Sequence, residues 1–462
     1  MHVSHRPALE QQKRVQCRAE ETDSYAFFNL LTGPHMLDGI EELLPAHRER
    51  LFPPRETLSM FPAQVLSADG SCQQAVDDAA IKRVIGALPR CASSTSAYCQ
   101  ARARLPTEMI SALTRQVGGM IGASAPKWWH SWNRPVRLVD GATMTMADTE
   151  QNQATYPQPS SQKSGLGFPI CRMVAVICLG SGAMVDAATG PCEGKGSHEQ
   201  TLLRSMLDVL ESDDILLGDA FYPTYFLLCD LARRGVDGVF EQYGARKRST
   251  DFRTGEKLGV RDHLVVLEKP KKRPDWMTPE QYAQAPATLK MRELEAGGKI
   301  MITTFLDAKA APKNKLKVLY LRRWNVELDL RNIKTTLGMA RLRCKTPAMV
   351  VKELWVYLPA YNLIRLLMAQ AALPADQIPR QSSFKHTVQV WLSWQQRGGA
   401  TPDGVCIHAV LSLIAEPRVG LRSGRIEPRA LKRRANAYPL LTKPRKAARA
   451  EVREHGHPKK QR

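Results

Sequence analysis

From Val136 to Tyr243 the chain spells out an order of elements that few folds satisfy. VRLVD is a short apolar run ending in Asp140, consistent with a buried strand. A polar loop rich in Gln, Ser, Pro and Gly follows, from Asp148 to Pro169. CRMVAVICLG and GAMVDAATG read as two strands joined by a tight Gly-Ser-Gly turn. HEQTLLRSMLDVL has the apolar spacing of an amphipathic helix. ILLGD is another buried strand ending in an acid, Asp219, and TYFLLCDLARRG is a helix with Gly235 as its stop. VDGVFEQY closes the series as a strand. Hairpin strands first, then helix-linked strands, predict an α/β protein with a mixed sheet covered by helices.

The carboxyl ends of strands form the ligand-binding edge of such sheets, and Asp140 and Asp219 are both read there. Other acids fit less well. Asp213 and Asp214 precede their strand and lie at the opposite end. Asp148, Glu150 and Glu193 fall in loops, while His198 and Glu199 read as capping or first-turn residues.

A third acid lies in Tyr320–Lys334, YLRRWNVELDLRNIK, which has no Pro or Gly and reads as one helix. At about 100° per residue, Tyr320, Arg323, Glu327 and Lys334 fall within a wedge of about 60°, with Arg331 close by. Leu319, Val326, Leu330, Ile333 and Leu337 form the adjacent stripe, and Asp329 faces away. One stripe docks on a core. The neighbouring edge offers a carboxylate among phosphate-binding cations.

Tyr, two residues, Arg, three residues, Glu, six residues, Lys resembles the signature of DDE-class insertion-sequence transposases of the insertion-sequence-four (IS-four) family. The resemblance runs from about Ser96 to the C-terminus and is weakest before that. It implies a ribonuclease H-like core with Asp140, Asp219 and Glu327 as catalytic acids. It also implies cut-and-paste transposition: binding of terminal inverted repeats, strand hydrolysis, a hairpin intermediate and strand transfer. Double-stranded DNA, as element ends and target, is the implied partner, with a homodimer in the DNA complex. Three buried carboxylates repel one another unless cations neutralise them. Two Mg²⁺ (or Mn²⁺) ions fit an all-oxygen site better than zinc. Tyr320, Arg323, Lys334 and Arg331 are expected on DNA, with Arg323 gripping a phosphate by two bonds and Lys334 by a point charge. A purely structural neutralising of the acids by Arg323 and Lys334 is the alternative.

The rest of the chain fits a DNA-binding enzyme. Lys plus Arg number 66 and Asp plus Glu 45, a net charge of +21 that favours a polyanionic partner. No apolar run is long enough to span a membrane and no signal peptide opens the sequence, so a cytoplasmic, nucleoid-associated protein is expected. The ten cysteines form no CxxC pair or zinc-spaced cluster and read as reduced packing thiols. No GxxxxGK[ST], GxGxxG or GxSxG motif points to a nucleotide motor or a serine hydrolase.

Residues 1–130 read as a helical N-terminal DNA-binding region, including MLDGIEELLPAHRERLF and CQQAVDDAAIKRVIGALP. SSTSAYCQARARL leads into a helix bearing Arg102 and Arg104, a candidate recognition helix. Trp128, Trp129 and Trp132 are expected to pack at a domain junction. Residues 131–243 and 307–345 form the expected catalytic core, and 244–306 a β-rich insertion, the stretch between Asp219 and Glu327 being too long for a simple connection. Residues 346–420 read as helical, from ELWVYLPAYNLIRLLMAQAAL through FKHTVQVWLSWQQR. The tail, 421–462, holds 14 Lys/Arg against three Glu, about half the excess charge, and is either DNA-contacting or simply solvated. Two other readings stand beside transposition: a non-catalytic DNA-binding protein of transposase descent, and a ribonuclease H-like nuclease without strand transfer.

Overall fold

The computed structural model describes residues 51–67, 69–85, 93–194, 197–242, 244–396, 407–419 and 440–456, together with Ile40 and residues 42–44. Most of MLDGIEELLPAHRERLF and of the basic tail lies outside these residues.

The strands are β1 (Val136–Thr145), β2 (Ile170–Cys178), β3 (Met184–Pro191), β4 (Ile215–Gly218), β5 (Asp237–Glu241), β6 (Glu256–Gly259), β7 (Asp262–Glu268), β8 (Thr288–Ala296) and β9 (Lys299–Thr303). They form one sheet in the order β3-β2-β1-β4-β5-β9-β8-β7-β6. β2 runs antiparallel to β1 and β3, while β1, β4 and β5 are mutually parallel. The segment between Asp219 and Glu327 is β-rich as expected, and it extends the central sheet: β9 pairs antiparallel with β5, Val239 opposite Thr303.

The strands read as unbroken apolar runs because the sheet is buried on both faces. Leu138, Ala175, Ile177, Ile215, Leu217 and Val239 pack in one core with the helices Thr107–Ala123, Lys313–Leu321, Asn325–Arg331 and Pro347–Ala372. Val139, Val174, Val176, Leu216 and Phe240 pack in the other, under the helices Glu199–Arg204 and Tyr225–Arg234. Pro347–Ala372 is buried along nearly its whole length. At Gly118 a Cβ would come 2.3 Å from the Met184 carbonyl oxygen, so glycine lets the helix Thr107–Ala123 lie close against β3.

Two expectations need correction. β1 does not end at Asp140. The strand continues to Thr145 because Asp140–Thr145 pairs with Ala175–Ile170 of β2, whereas pairing with β4 covers only Val136–Leu138. Nor is Tyr320–Lys334 one regular helix. It is the end of Lys313–Leu321, a 3-10 turn at Arg322–Trp324, the α-helix Asn325–Arg331 and a π turn at Asn332–Thr336. At the first break the Asn325 side chain donates to the Arg322 carbonyl at 2.7 Å, competing for an acceptor of the helical ladder. After the π turn the chain runs beside the end of β1, with Thr145 N donating to Ala340 O at 3.1 Å and Leu342 N to Thr145 O at 2.8 Å.

The tryptophans divide. Trp129 is buried and its Nε1 donates to Gln377 O at 3.1 Å; Trp132 packs edge-on against Phe305; Trp128 is exposed. Among the described residues no helix is long and apolar enough to cross a membrane.

Candidate active site

β1 and β4 pair in parallel as far as Leu138–Leu217, so Asp140 and Asp219 each lie two residues beyond the last rung. β4 ends at Gly218, and Asp219 turns the chain by accepting from Phe221 N at 2.8 Å. Asp140 Oδ1 accepts from the adjacent Gly141 N at 2.8 Å.

Glu327 sits in the first turn of Asn325–Arg331. Val326, Leu330 and Ile333 seat this helix in the core. Asp329 faces away from Glu327, as the helical wheel requires, and toward buried Arg365 and half-buried Arg380. Arg365 Nη2 donates to its Oδ1 at 2.5 Å; Arg380 donates to Oδ1 at 2.9 Å and Oδ2 at 2.6 Å. Arg380 also reaches the carbonyls of Leu179 and Cys178, so one clamp ties the Glu327 helix to the end of β2.

Arg323, in the 3-10 turn, joins the acids. Its Nη1 lies 3.6 Å from Asp140 Oδ2 and its Nη2 3.4 Å from Glu327 Oε1. Burial is the largest influence on Asp140 and pushes its carboxyl up to about 6, with the charges of Asp219 and Glu199 adding to the rise. The Gly141 N–H and Arg323 pull it back only in part.

A cleft of about 520 Å³ is lined by Asp140, Gly141, Glu199, Glu327, Arg331 and Lys334 among others, while Asp219 and Arg323 do not line it. Neither the Lys334 nor the Arg331 side chain has an ion-pair partner among the described residues, so both present free cations to the cleft.

The other candidate residues fare differently. Tyr320 does not line the cleft. It is 5% exposed, and Lys299 Nζ lies 5.7 Å from the centre of its ring. Burial first, then the charges of Glu241 and Asp219, push the Tyr320 hydroxyl up to about 12. Arg102 is corrected as a DNA-reading residue: it is buried, its guanidinium over the Phe61 and Tyr98 rings and donating to Gln64 Oε1 at 3.3 Å. Arg104 is exposed. Glu199, read from the sequence as a first-turn residue, stands in the cleft. The one local signal was Gly141, since a glycine inside a strand marks a close approach.

Among the described residues no three carboxylate, imidazole or thiolate groups already stand close enough to enclose a metal ion. The donor set nevertheless suits a hard divalent cation. It is all carboxylate oxygen, and Asp140 is a half-buried acid whose charge Arg323 only partly offsets.

A family model for the transposase DDE domain matches residues 131–363, from the residues before β1 into the helix Pro347–Ala372, and covers Asp140, Asp219 and Glu327. The chain belongs to the DDE transposases. It is 27% identical to the transposase InsG for insertion sequence element IS4 from Escherichia coli (strain K12) over 357 residues, 75% of this chain and 78% of InsG. That likeness agrees with the IS-four spacing of Tyr320, Arg323, Glu327 and Lys334. A piggyBac transposase, solved as a synaptic complex with hairpin DNA, superposes with a TM-score of 0.41 at 10% identity, covering 89% of this chain and 88% of that one. So distant a likeness carries no argument about the site. As a DDE transposase the protein is an enzyme that cleaves DNA strands and transfers them, a family whose chemistry uses divalent metal ions.

Proposed function

We propose that this transposase moves an insertion sequence by cut and paste. It would bind the terminal inverted repeats, hydrolyse a strand at each end, pass through a hairpin intermediate and join the freed ends to target DNA, acting as a homodimer on the DNA. The observation that supports this reading is Arg323, which lies between Asp140 on β1 and Glu327 on its helix, while Asp219 follows the end of β4, the strand parallel to β1, near enough for its charge to act on Asp140. The core is read as ribonuclease H-like, supported by the order β3-β2-β1-β4-β5 with only β2 running against its neighbours.

Residues 131–243 and 307–345 form the proposed catalytic core, and 244–306 an insertion continuing its sheet. Residues 1–130, carrying exposed Arg104, are the proposed end-binding region, followed by a helical segment at 346–420 and a basic tail at 421–462. Nucleoid association follows from this role and from the charge of +21.

Asp140, Asp219 and Glu327 would hold the divalent ions, two Mg²⁺ or Mn²⁺. When bound, these supply Lewis acidity for the attacking and leaving oxygens. The protein's own part is positioning. Lys334 and Arg331, free in the cleft, hold phosphates of the scissile strand. Arg323 keeps Asp140 and Glu327 in register and is shared between them and the DNA. The Asp329 clamp fixes the helix from behind.

The test is a strand-transfer assay on the native flanking DNA, with Mg²⁺ and with EDTA. Cleaved and joined products with Mg²⁺ alone are expected, and none from Asp140→Ala, Asp219→Ala or Glu327→Ala, each still binding end DNA. Cleavage without joining would leave a nuclease; binding without cleavage would leave a non-catalytic DNA-binding protein.

A further inference from the structure

We infer that Glu199 is a fourth acid of the catalytic centre, holding a divalent cation together with Asp140. The inference rests on the assignment of Asp140 proposed above.

Glu199 opens the helix Glu199–Arg204 and lines the same cleft as Asp140, Glu327 and Lys334. Its carboxylate lies directly over the backbone of Gly141. A Cβ at Gly141 would stand 2.4 Å from the Glu199 carboxyl carbon and from its Oε1. Gly141 lies within β1 and its φ is not positive, so no turn calls for glycine there. Space for the Glu199 carboxylate does.

The two oxygens have different surroundings. Tyr222, buried three residues beyond Asp219, donates its hydroxyl to Oε2 at 3.1 Å. Oε1 has Arg172 Nε at 3.8 Å, outside hydrogen-bond distance. One oxygen is thus oriented from the Asp219 side, and the other keeps only the long ion pair with Arg172. The side chain is 26% exposed, enough to be reached. Carboxylates set this close to Asp140 repel it, and a shared cation relieves them.

Mn²⁺ binding to the full chain, followed by the EPR signal of free Mn²⁺, tests this without recourse to activity. Asp140→Asn serves as control and should abolish tight binding; retained binding there would overturn the Asp140 assignment, and this inference with it. Glu199→Gln keeps an acceptor for Tyr222 but loses the charge, and should raise the Mn²⁺ Kd about tenfold. Gly141→Ala should do the same by displacing the flexible carboxylate, and G141A/E199Q should bind no worse than either alone. Wild-type affinity in both single variants, with binding lost in D140N, would make Glu199 a structural residue and leave the three-acid site intact.

Discussion

Arg323 stands between Asp140 and Glu327, 3.6 Å from a carboxylate oxygen of the first and 3.4 Å from one of the second. The two acids lie on a strand and a helix far apart in sequence, and this guanidinium joins them. Its planar fork has several donors spread over its width, which a lysine ammonium lacks. Arg323→Lys should therefore retain the fold, yet lower single-turnover cleavage by about tenfold or more through misplacement of the acids. Full activity in R323K would dismiss the bridge as a functional element.

Asp140 makes metal-free stability depend on pH. The folded carboxyl keeps its proton up to about pH 6, whereas its ordinary value is 3.8. Between these values the folded state binds more protons than the unfolded state. Stability is therefore greatest below the lower value and falls as pH rises through the upper one, by an amount on the order of 2–3 kcal/mol. Asp140→Asn should remove this fall, and in EDTA at pH 7.5 should melt higher than wild type while being inactive. Urea unfolding at pH 4.5 and 7.5 checks the sign. A wild-type protein that gains stability over that interval relative to D140N would refute it.

Asp329 should matter for stability although it never faces the cleft. Asp329→Ala leaves buried Arg365 and half-buried Arg380 without their counter-charge, a change that costs about 3–5 kcal/mol. A variant within about 0.5 kcal/mol of wild type on urea unfolding would show that the clamp is replaceable.

Lys334→Ala should fold normally, bind Mn²⁺ and bind end DNA, yet lose cleavage rate because the scissile strand is less well held. A K334A protein with a lowered Tm and unchanged specific activity would assign the lysine a structural role.

End binding should weaken steeply with salt, with a slope of about −0.9 per neutralised phosphate on logarithmic axes. Deleting Leu421–Arg462, which removes a net charge of +11, should flatten that slope. An unchanged slope would make the tail a spectator.

The sequence by itself determined the element order and the residue types of the site. Runs such as ILLGD and VDGVF are apolar without alternation because both faces of their strands are buried, and that pattern is local. The spacing of Arg323, Glu327 and Lys334 is local too, and it put acid and cations on one edge. What only the tertiary structure decided are the approaches between elements. Pairing with β2 carries β1 past Asp140, and parallel pairing of β1 with β4 as far as Leu138–Leu217 leaves Asp140 and Asp219 each two residues beyond the last rung. Tyr320 packs in the core, outside the cleft that Arg331 and Lys334 line, although the spacing put all three on one edge. Arg102 and Arg104 share one helix, yet Phe61 and Tyr98 draw the first inward and leave the second in water. Glu199 enters the site because Gly141 leaves room for its carboxylate. Periodicity records which side of an element is buried. It carries no record of which distant backbone lies against that side, and close approach across the sheet is set by strand register and by side-chain volume at single positions.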